Sequence, residues 1–164
     1  MLAVLAHMQY PSGKRPVAIM ALAIVEAVFG LMGVISGILL IIEPNGTLIG
    51  FTEDIRLKVP FQTFLPVGLF LLLVYGVGSF LLAYGTWTRK ELFLEKVSQI
   101  GGRHWAWTGG LLLMGVLLLW LLVEGQLIGL DFPATYMTVL FGLIIMVLLL
   151  MPSVRDFLTP PDEN

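Results

Sequence analysis

The chain has 164 residues, of which 58% are hydrophobic and 12% charged, and its mean hydropathy is +0.96. Soluble domains contain about 25% charged residues, so water is excluded as the solvent for most of this surface. The sequence contains no cysteine, which excludes disulfides, thiolate metal sites, iron–sulfur clusters and cysteine nucleophiles. The net charge is −2 and the basic residues are scattered, which argues against a nucleic-acid partner.

Four long apolar runs predict four transmembrane helices, because each run is long enough to cross about 30 Å of hydrocarbon. A span in lipid must satisfy its own backbone polar groups, and a helix does so internally. We therefore expect an all-α polytopic membrane protein, with one membrane domain over residues 1–164. The predicted spans cover residues 17–42, 61–86, 107–128 and 134–151.

Prolines agree with the limits of these runs. Pro16 and Pro133 lie at predicted helix starts, whereas Pro44 and Pro152 follow predicted helix ends. Pro66 lies inside the second predicted span. There it is either tolerated as part of a helix start or introduces a kink by removing one backbone hydrogen bond.

Basic residues predict the orientation in the membrane. The two tails and the loop between spans two and three contain Lys14, Arg15, Arg89, Lys90, Lys96, Arg103 and Arg155. The opposite side has only Arg56 and Lys58, both in its first loop. By the positive-inside rule, both termini are expected in the cytoplasm.

The segments that follow spans one and three resemble each other. The first reads Glu43-Pro44-Asn45-Gly46-Thr47-Leu48-Ile49-Gly50, and the second reads Glu124-Gly125-Gln126-Leu127-Ile128-Gly129. Removing two residues from the first aligns them. One interpretation is a tandem duplication of a helical hairpin about an axis along the membrane normal. The alternative is a chance match among common apolar residues.

Glycines in the spans predict close helix packing. The first span contains Gly30, Gly33 and Gly37. Gly33 and Gly37 are four residues apart and form a small-xxx-small motif, which allows close helix packing. Gly115 and Gly142 fall at a similar depth in the third and fourth spans. The glycines either pack helices within one chain or form a face for a second copy or another membrane protein.

Glu26 is the only charged residue well inside a predicted span. An ionised carboxylate in hydrocarbon is costly, and no basic residue lies at that depth. Tyr75 and Ser79 lie at a comparable depth in the second span and are candidate hydrogen-bond partners. The carboxyl group is either a neutral acid that fixes helix packing or a site for a proton, a cation or a polar ligand.

Other chemistry does not assemble in the sequence. His7 and His104 lie in different segments without clustered acidic neighbours, so no metal site and no cofactor are predicted. Glu43, Glu124 and Asp131 lie at helix ends, where solvation is the simplest interpretation and a cation site is the alternative. No pattern of nucleophile and base is present, so an enzyme is not expected.

Apolar motifs in spans two to four support a resemblance. The run from Pro60 to Phe70, the sequence Tyr75-Gly76-Val77-Gly78, and Trp120 with the following Gln126-Leu127-Ile128-Gly129 are similar to a group of small prokaryotic four-helix integral membrane proteins. The resemblance implies this fold and a prokaryotic plasma membrane, and it transfers no activity and no functional residue. It leaves open which molecule or protein the chain binds.

Two functions follow as hypotheses. The first is a non-enzymatic membrane subunit or scaffold that packs with other membrane helices, including a second copy, or binds a lipid-like molecule. The alternative is a small proton- or ion-coupled transporter or channel subunit that uses Glu26.

Overall fold

The computed structural model describes residues 14–91, 98 and 102–159, and within these ranges the chain forms helices and turns without a strand. The helices are α1 (Val17–Ile42), α2 (Glu53–Lys58), α3 (Leu65–Thr88), α4 (Trp105–Leu127), α5 (Pro133–Leu150) and α6 (Pro152–Phe157). Four of them, α1, α3, α4 and α5, are long and apolar enough to cross a membrane. The predicted all-α fold with four candidate spans is thus confirmed. The tandem duplication stays a prediction.

The ends of the long helices agree closely with the predicted spans, except at the start of α3. Residues 61–64 were expected to be helical, but they form a turn that returns to the segment just after α1, where the Phe64 N–H donates to the Pro44 carbonyl at 2.7 Å. Because α3 begins at Leu65, Pro66 occupies its first turn. The missing proline N–H has no helical partner there, so Pro66 breaks no helical hydrogen bond.

The middle of α3 departs from regular α-helix. Residues Leu71–Gly78 form π-helix, in which each backbone bond spans five residues, and α-helix resumes at Ser79. A π segment has a wider turn and shifts the helix face that follows it. Hydropathy does not reveal this change, because all of α3 is apolar.

Helices α1 and α3 approach each other at backbone distance. A Cβ atom built on Gly33 would lie 2.6 Å from the Gly76 nitrogen, and one on Gly37 would lie 2.8 Å from the Gly68 carbonyl oxygen. Any side chain at Gly33 or Gly37 would therefore hold the helices apart. The glycines of α1 pack against α3 of the same chain, as one of the two interpretations expected.

We call the end of the bundle where α1 begins and α5 ends the terminal end. There the end of α5 and the segment after it are both tied to the start of α4. The Trp107 indole donates to the Leu149 carbonyl at 2.9 Å, and the His104 N–H donates to the Leu158 carbonyl at 2.8 Å. Val154 of α6 and Leu158 are fully buried, so α6 is part of the hydrophobic core.

The opposite end, where residues 43–64 connect α1 to α3, is called the loop end. Its connection folds over the bundle through an aromatic cluster. The Phe51 ring lies 4.7 Å from that of Phe64 and 5.4 Å from that of Phe132, which precedes α5. The long first connection is therefore attached to both halves of the chain.

Candidate functional site

A cavity of about 770 Å³ lies in the loop-end half of the bundle. The second halves of α1 and α4, the first halves of α3 and α5, and the first connection line it. Most of its lining is apolar, with Phe29, Leu40, Val67 and Val116 as examples from three helices. No pattern in the sequence indicates this cavity, because its walls come from segments far apart in the chain.

Aromatic rings form a continuous wall deep in the cavity. The Phe70 ring stacks on the Trp120 ring with centroids 5.0 Å apart and planes 18° apart. Phe70 also meets Tyr75 edge to face at 5.1 Å, and Phe29 lies 5.5 Å from Tyr75 on the other side. Each ring touches a neighbour, which restricts ring rotation and keeps the wall in shape.

Polar groups are few around the cavity, and the described ones include a single ionisable carboxylate. Glu124 lies near the end of α4 and is half-buried, and its Oε1 accepts a hydrogen bond from the buried Thr135 hydroxyl. Tyr75 also lines the cavity, and its phenol oxygen is buried without a hydrogen-bond partner. Glu124 was expected to be solvated at a helix end. In the structure it is only half-buried, as a residue at a helix end would be, but it also lines the cavity.

Glu26 lies outside this cavity. It is fully buried on the face of α1 that contains Gly30 and Gly33, and the neighbouring polar side chain on α3 is Thr86. The Glu26 carboxyl oxygens and the Thr86 hydroxyl have no hydrogen-bond partner. Side chains tilt toward the N-terminus of their helix, so the carboxyl group points toward the terminal end, away from the cavity.

No hydrogen bond joins the three predicted site residues Glu26, Tyr75 and Ser79. Tyr75 lines the cavity, whereas Ser79 contacts the position of Gly30 one turn further along α3. The hydroxyls of Tyr75 and Ser79, the candidate partners of Glu26, have no hydrogen-bond partner, so neither bonds to its carboxyl group. Equal depth along straight α-helices does not bring side chains together here, because side chains tilt along their helix and the π segment shifts the face of α3.

The predicted packing glycines also divide into two groups. Gly30 faces Gly76 and Ser79 of α3, and Gly142 of α5 is buried against the Leu117 side chain. Gly115, in contrast, is exposed, and no heavy atom lies within 4 Å of where its Cβ would be. Gly115 therefore packs against no described helix of its own chain, since equal depth does not place a residue on the interior face. Its role in a face for a second copy or another membrane protein stays a prediction.

His104 forms a second buried polar site, at the start of α4. Its Nδ1 accepts a hydrogen bond from the Ala106 N–H at 3.2 Å and so caps the helix. This bond requires the neutral tautomer with its proton on Nε2, which lies 3.9 Å from a Glu91 carboxylate oxygen. Burial lowers the pKa of His104, and this effect exceeds the opposing one of Glu91.

Acid is expected to destabilise the protein through His104. The lowered pKa means that the unfolded chain binds this proton more readily, so stability falls as the pH decreases from about 6.5. Protonation of Nδ1 also removes the cap of α4. In His104→Asn the side-chain oxygen keeps the cap and does not titrate. Unfolding temperatures in detergent at pH 8 and pH 5 should differ less for this variant than for the wild type, and an equal difference would contradict the assignment.

Metal binding receives no support from the part of the chain that the structure covers. There, no three His, Asp or Glu side chains lie close enough together to hold a metal ion. His104 has Glu91 as its acidic neighbour, and His7 lies outside the described residues.

Comparison with protein-family models, with curated proteins and with solved structures finds no match. The class of protein therefore rests on the fold itself. Four apolar helices of 18 to 26 residues, whose outward faces carry large aliphatic side chains, are the features of a multi-pass membrane protein. Leu118, for example, is 62% exposed and Leu143 is 60% exposed, and both lie near the middle of a long helix.

Proposed function

We propose that this protein is a non-catalytic subunit of a prokaryotic plasma membrane that holds a lipid-like molecule in the cavity at its loop end. The observation that carries the proposal is the cavity itself, about 770 Å³ and walled by apolar and aromatic side chains. Its volume lies within the range of about 300–1,000 Å³ that is common for small-molecule sites. An apolar molecule dissolved in the bilayer is the ligand that such walls favour.

Selective binding in a membrane needs more than an apolar wall. Lipid tails are as apolar as leucine, so the hydrophobic effect provides little preference for a site over the bilayer. The preference must come from close packing, and a rigid cavity provides it. The backbone contact between α1 and α3 at Gly33 and the stacked rings of Phe70 and Trp120 both support such rigidity.

The proposal includes orientation and assembly. If both termini are cytoplasmic, as the basic residues predict, the cavity lies in the outer half of the bilayer. The outward aliphatic faces of α4 and α5 are available to lipid, to a second copy or to other membrane helices. A duplicated hairpin would account for the similar segments after spans one and three.

Filling the cavity tests the proposal. Val116 lines the cavity from α4, so Val116→Phe should occupy space that the ligand needs. Leu112→Phe is the matched control, because Leu112 lies one turn earlier, is 70% exposed and is not part of the cavity wall. Native mass spectrometry of protein released from neutral detergent should show a retained apolar molecule in the wild type and the control.

Loss of this molecule by about tenfold or more in Val116→Phe alone is expected, which corresponds to about 1.4 kcal/mol. Equal retention by both variants, with both folded, would show that retained lipid binds outside the cavity. Absence of any retained molecule from all three proteins would also count against the proposal.

A specific observation favours one alternative, a proton- or ion-coupled function for Glu26. Its carboxyl group is fully buried and unpartnered, and the Thr86 and Ser79 hydroxyls of the facing helix are unpartnered too. Buried ionisable groups in membranes frequently mark proton or ion pathways. In liposomes, Glu26→Gln should then abolish proton- or ion-driven flux while the protein stays folded, whereas unchanged flux would eliminate this function.

A further inference from the structure

The charge on the cavity wall is negative. Of the residues described along its wall, Glu124 is the only charged one, and none is basic. We propose that the cavity binds a lipophilic organic cation, meaning a single positive charge on nitrogen or phosphorus that carries large apolar groups. This inference rests on the proposed function and specifies the chemical class of the ligand.

The Glu124 carboxylate lacks a cationic partner. No Lys or Arg nitrogen in the described ranges lies within 4.0 Å of it, and the Arg56 side chain on the first connection is paired with Glu53 at 2.8 Å. Thr135 donates to Oε1, and none of the hydrogen bonds found in the described part of the chain involves Oε2. A half-buried carboxylate without a counter-charge attracts a cation more strongly than a fully solvated one does.

Aromatic rings lie where the rest of such a cation would bind. Trp120 and Glu124 are four residues apart on α4, so they lie on the same face, and both line the cavity. Indole is the ring that binds cations best through its negative face, and Phe70 and Tyr75 extend the same wall. A cation beside Glu124 would therefore rest against aromatic surface while its apolar groups fill the cavity.

The same arrangement disfavours the common phospholipids. A phosphate group near Glu124 would meet a negative charge with no basic side chain on the cavity wall to offset it. A neutral hydrocarbon would fit the apolar wall but would gain nothing from the carboxylate. The cavity should therefore bind a lipophilic cation in preference to neutral or anionic molecules of similar shape, because Glu124 attracts only the cation.

Two probes of nearly equal shape and opposite charge test the inference. Tetraphenylphosphonium and tetraphenylborate should be titrated at pH 7.5 into the purified full chain in an uncharged detergent, and binding followed by calorimetry and tryptophan fluorescence. The wild type should prefer the cation by about tenfold or more. Glu124→Gln should lose this preference, and Glu124→Asp, which keeps the charge, should retain most of it.

Asp131→Asn is the matched control, because Asp131 is an exposed acid at the same end of the bundle and does not line the cavity. It should keep the full preference for the cation, and so exclude a general effect of surface charge. Equal binding of both probes by the wild type, or an unchanged preference in folded Glu124→Gln, would overturn the inference. Either result would leave the proposed function standing if Val116→Phe still loses its apolar molecule.

Discussion

Replacing Gly33 by alanine is expected to lower the free energy of unfolding by about 3 kcal/mol. The added Cβ would lie 2.6 Å from the Gly76 nitrogen and 2.7 Å from the Tyr75 carbonyl carbon. Both are backbone atoms, so no side-chain rotation relieves the overlap, and α1 and α3 must separate along their contact. Because Tyr75 and Gly33 also line the cavity, ligand retention should fall together with stability.

Gly115→Ala is the matched control for this prediction. Gly115 lies in the middle of α4 with open space around the position of its Cβ. Alanine favours helix over glycine by about 1 kcal/mol, so this variant should be as stable as the wild type or slightly more stable. Unfolding in mixed detergent micelles, followed by circular dichroism, measures both variants. Similar losses in the two would show that the α1–α3 contact is looser than the structure has it.

Replacing Glu26 by methionine is expected to raise the free energy of unfolding by about 2 kcal/mol. The carboxyl group is fully buried and has no hydrogen bond, so removing it eliminates an unsatisfied polar group. Methionine has a similar length and a flexible apolar side chain, which suits the space left behind. The Thr86 hydroxyl remains and is able to bond to its own helix backbone.

Leu22→Met is the control for the shape change. Leu22 lies one turn before Glu26 on α1 and is also fully buried, but it carries no polar group to remove. Its replacement should cost less than about 1.5 kcal/mol. If Glu26→Met is the less stable of the two variants, the carboxyl group holds α1 and α3 together as a packing residue. If Glu26→Met is more stable than the wild type, the Glu26 carboxyl group lowers the stability of the protein. Groups that lower stability are typical of functional sites.

The membrane architecture was largely predictable from the sequence, because it depends on average properties of long segments. Length and hydropathy located all four long helices, and α1 begins and ends at the predicted residues. The start of α3 was less accurate. Residues 61–64, Phe-Gln-Thr-Phe, directly precede the apolar run, and the bond from Phe64 to Pro44 holds them in a turn. Hydropathy averaged over a long window does not locate such a boundary to within a few residues.

The candidate sites were only partly predictable, because they depend on which faces meet. Glu26 was identifiable as a charge inside an apolar run. Tyr75 and Ser79 were its candidate partners, but neither hydroxyl bonds to it, since side-chain tilt and the π segment decide which groups of α3 meet the carboxyl group. Glu124 was identified only as a residue at a helix end, because nothing in its neighbourhood in the sequence indicates that Thr135 lies beside it or that both line a cavity.

The sequence by itself determined that this chain forms long helices suited to hydrocarbon, because a backbone without water must satisfy its hydrogen bonds within each segment. It also determined that Glu26 lies within such a helix and that cysteine chemistry is absent. Only the tertiary structure decided which glycines allow close contact, where the cavity lies and which acid faces it. These properties depend on how helices distant in sequence rotate and pack, and a uniformly apolar sequence hardly constrains that rotation.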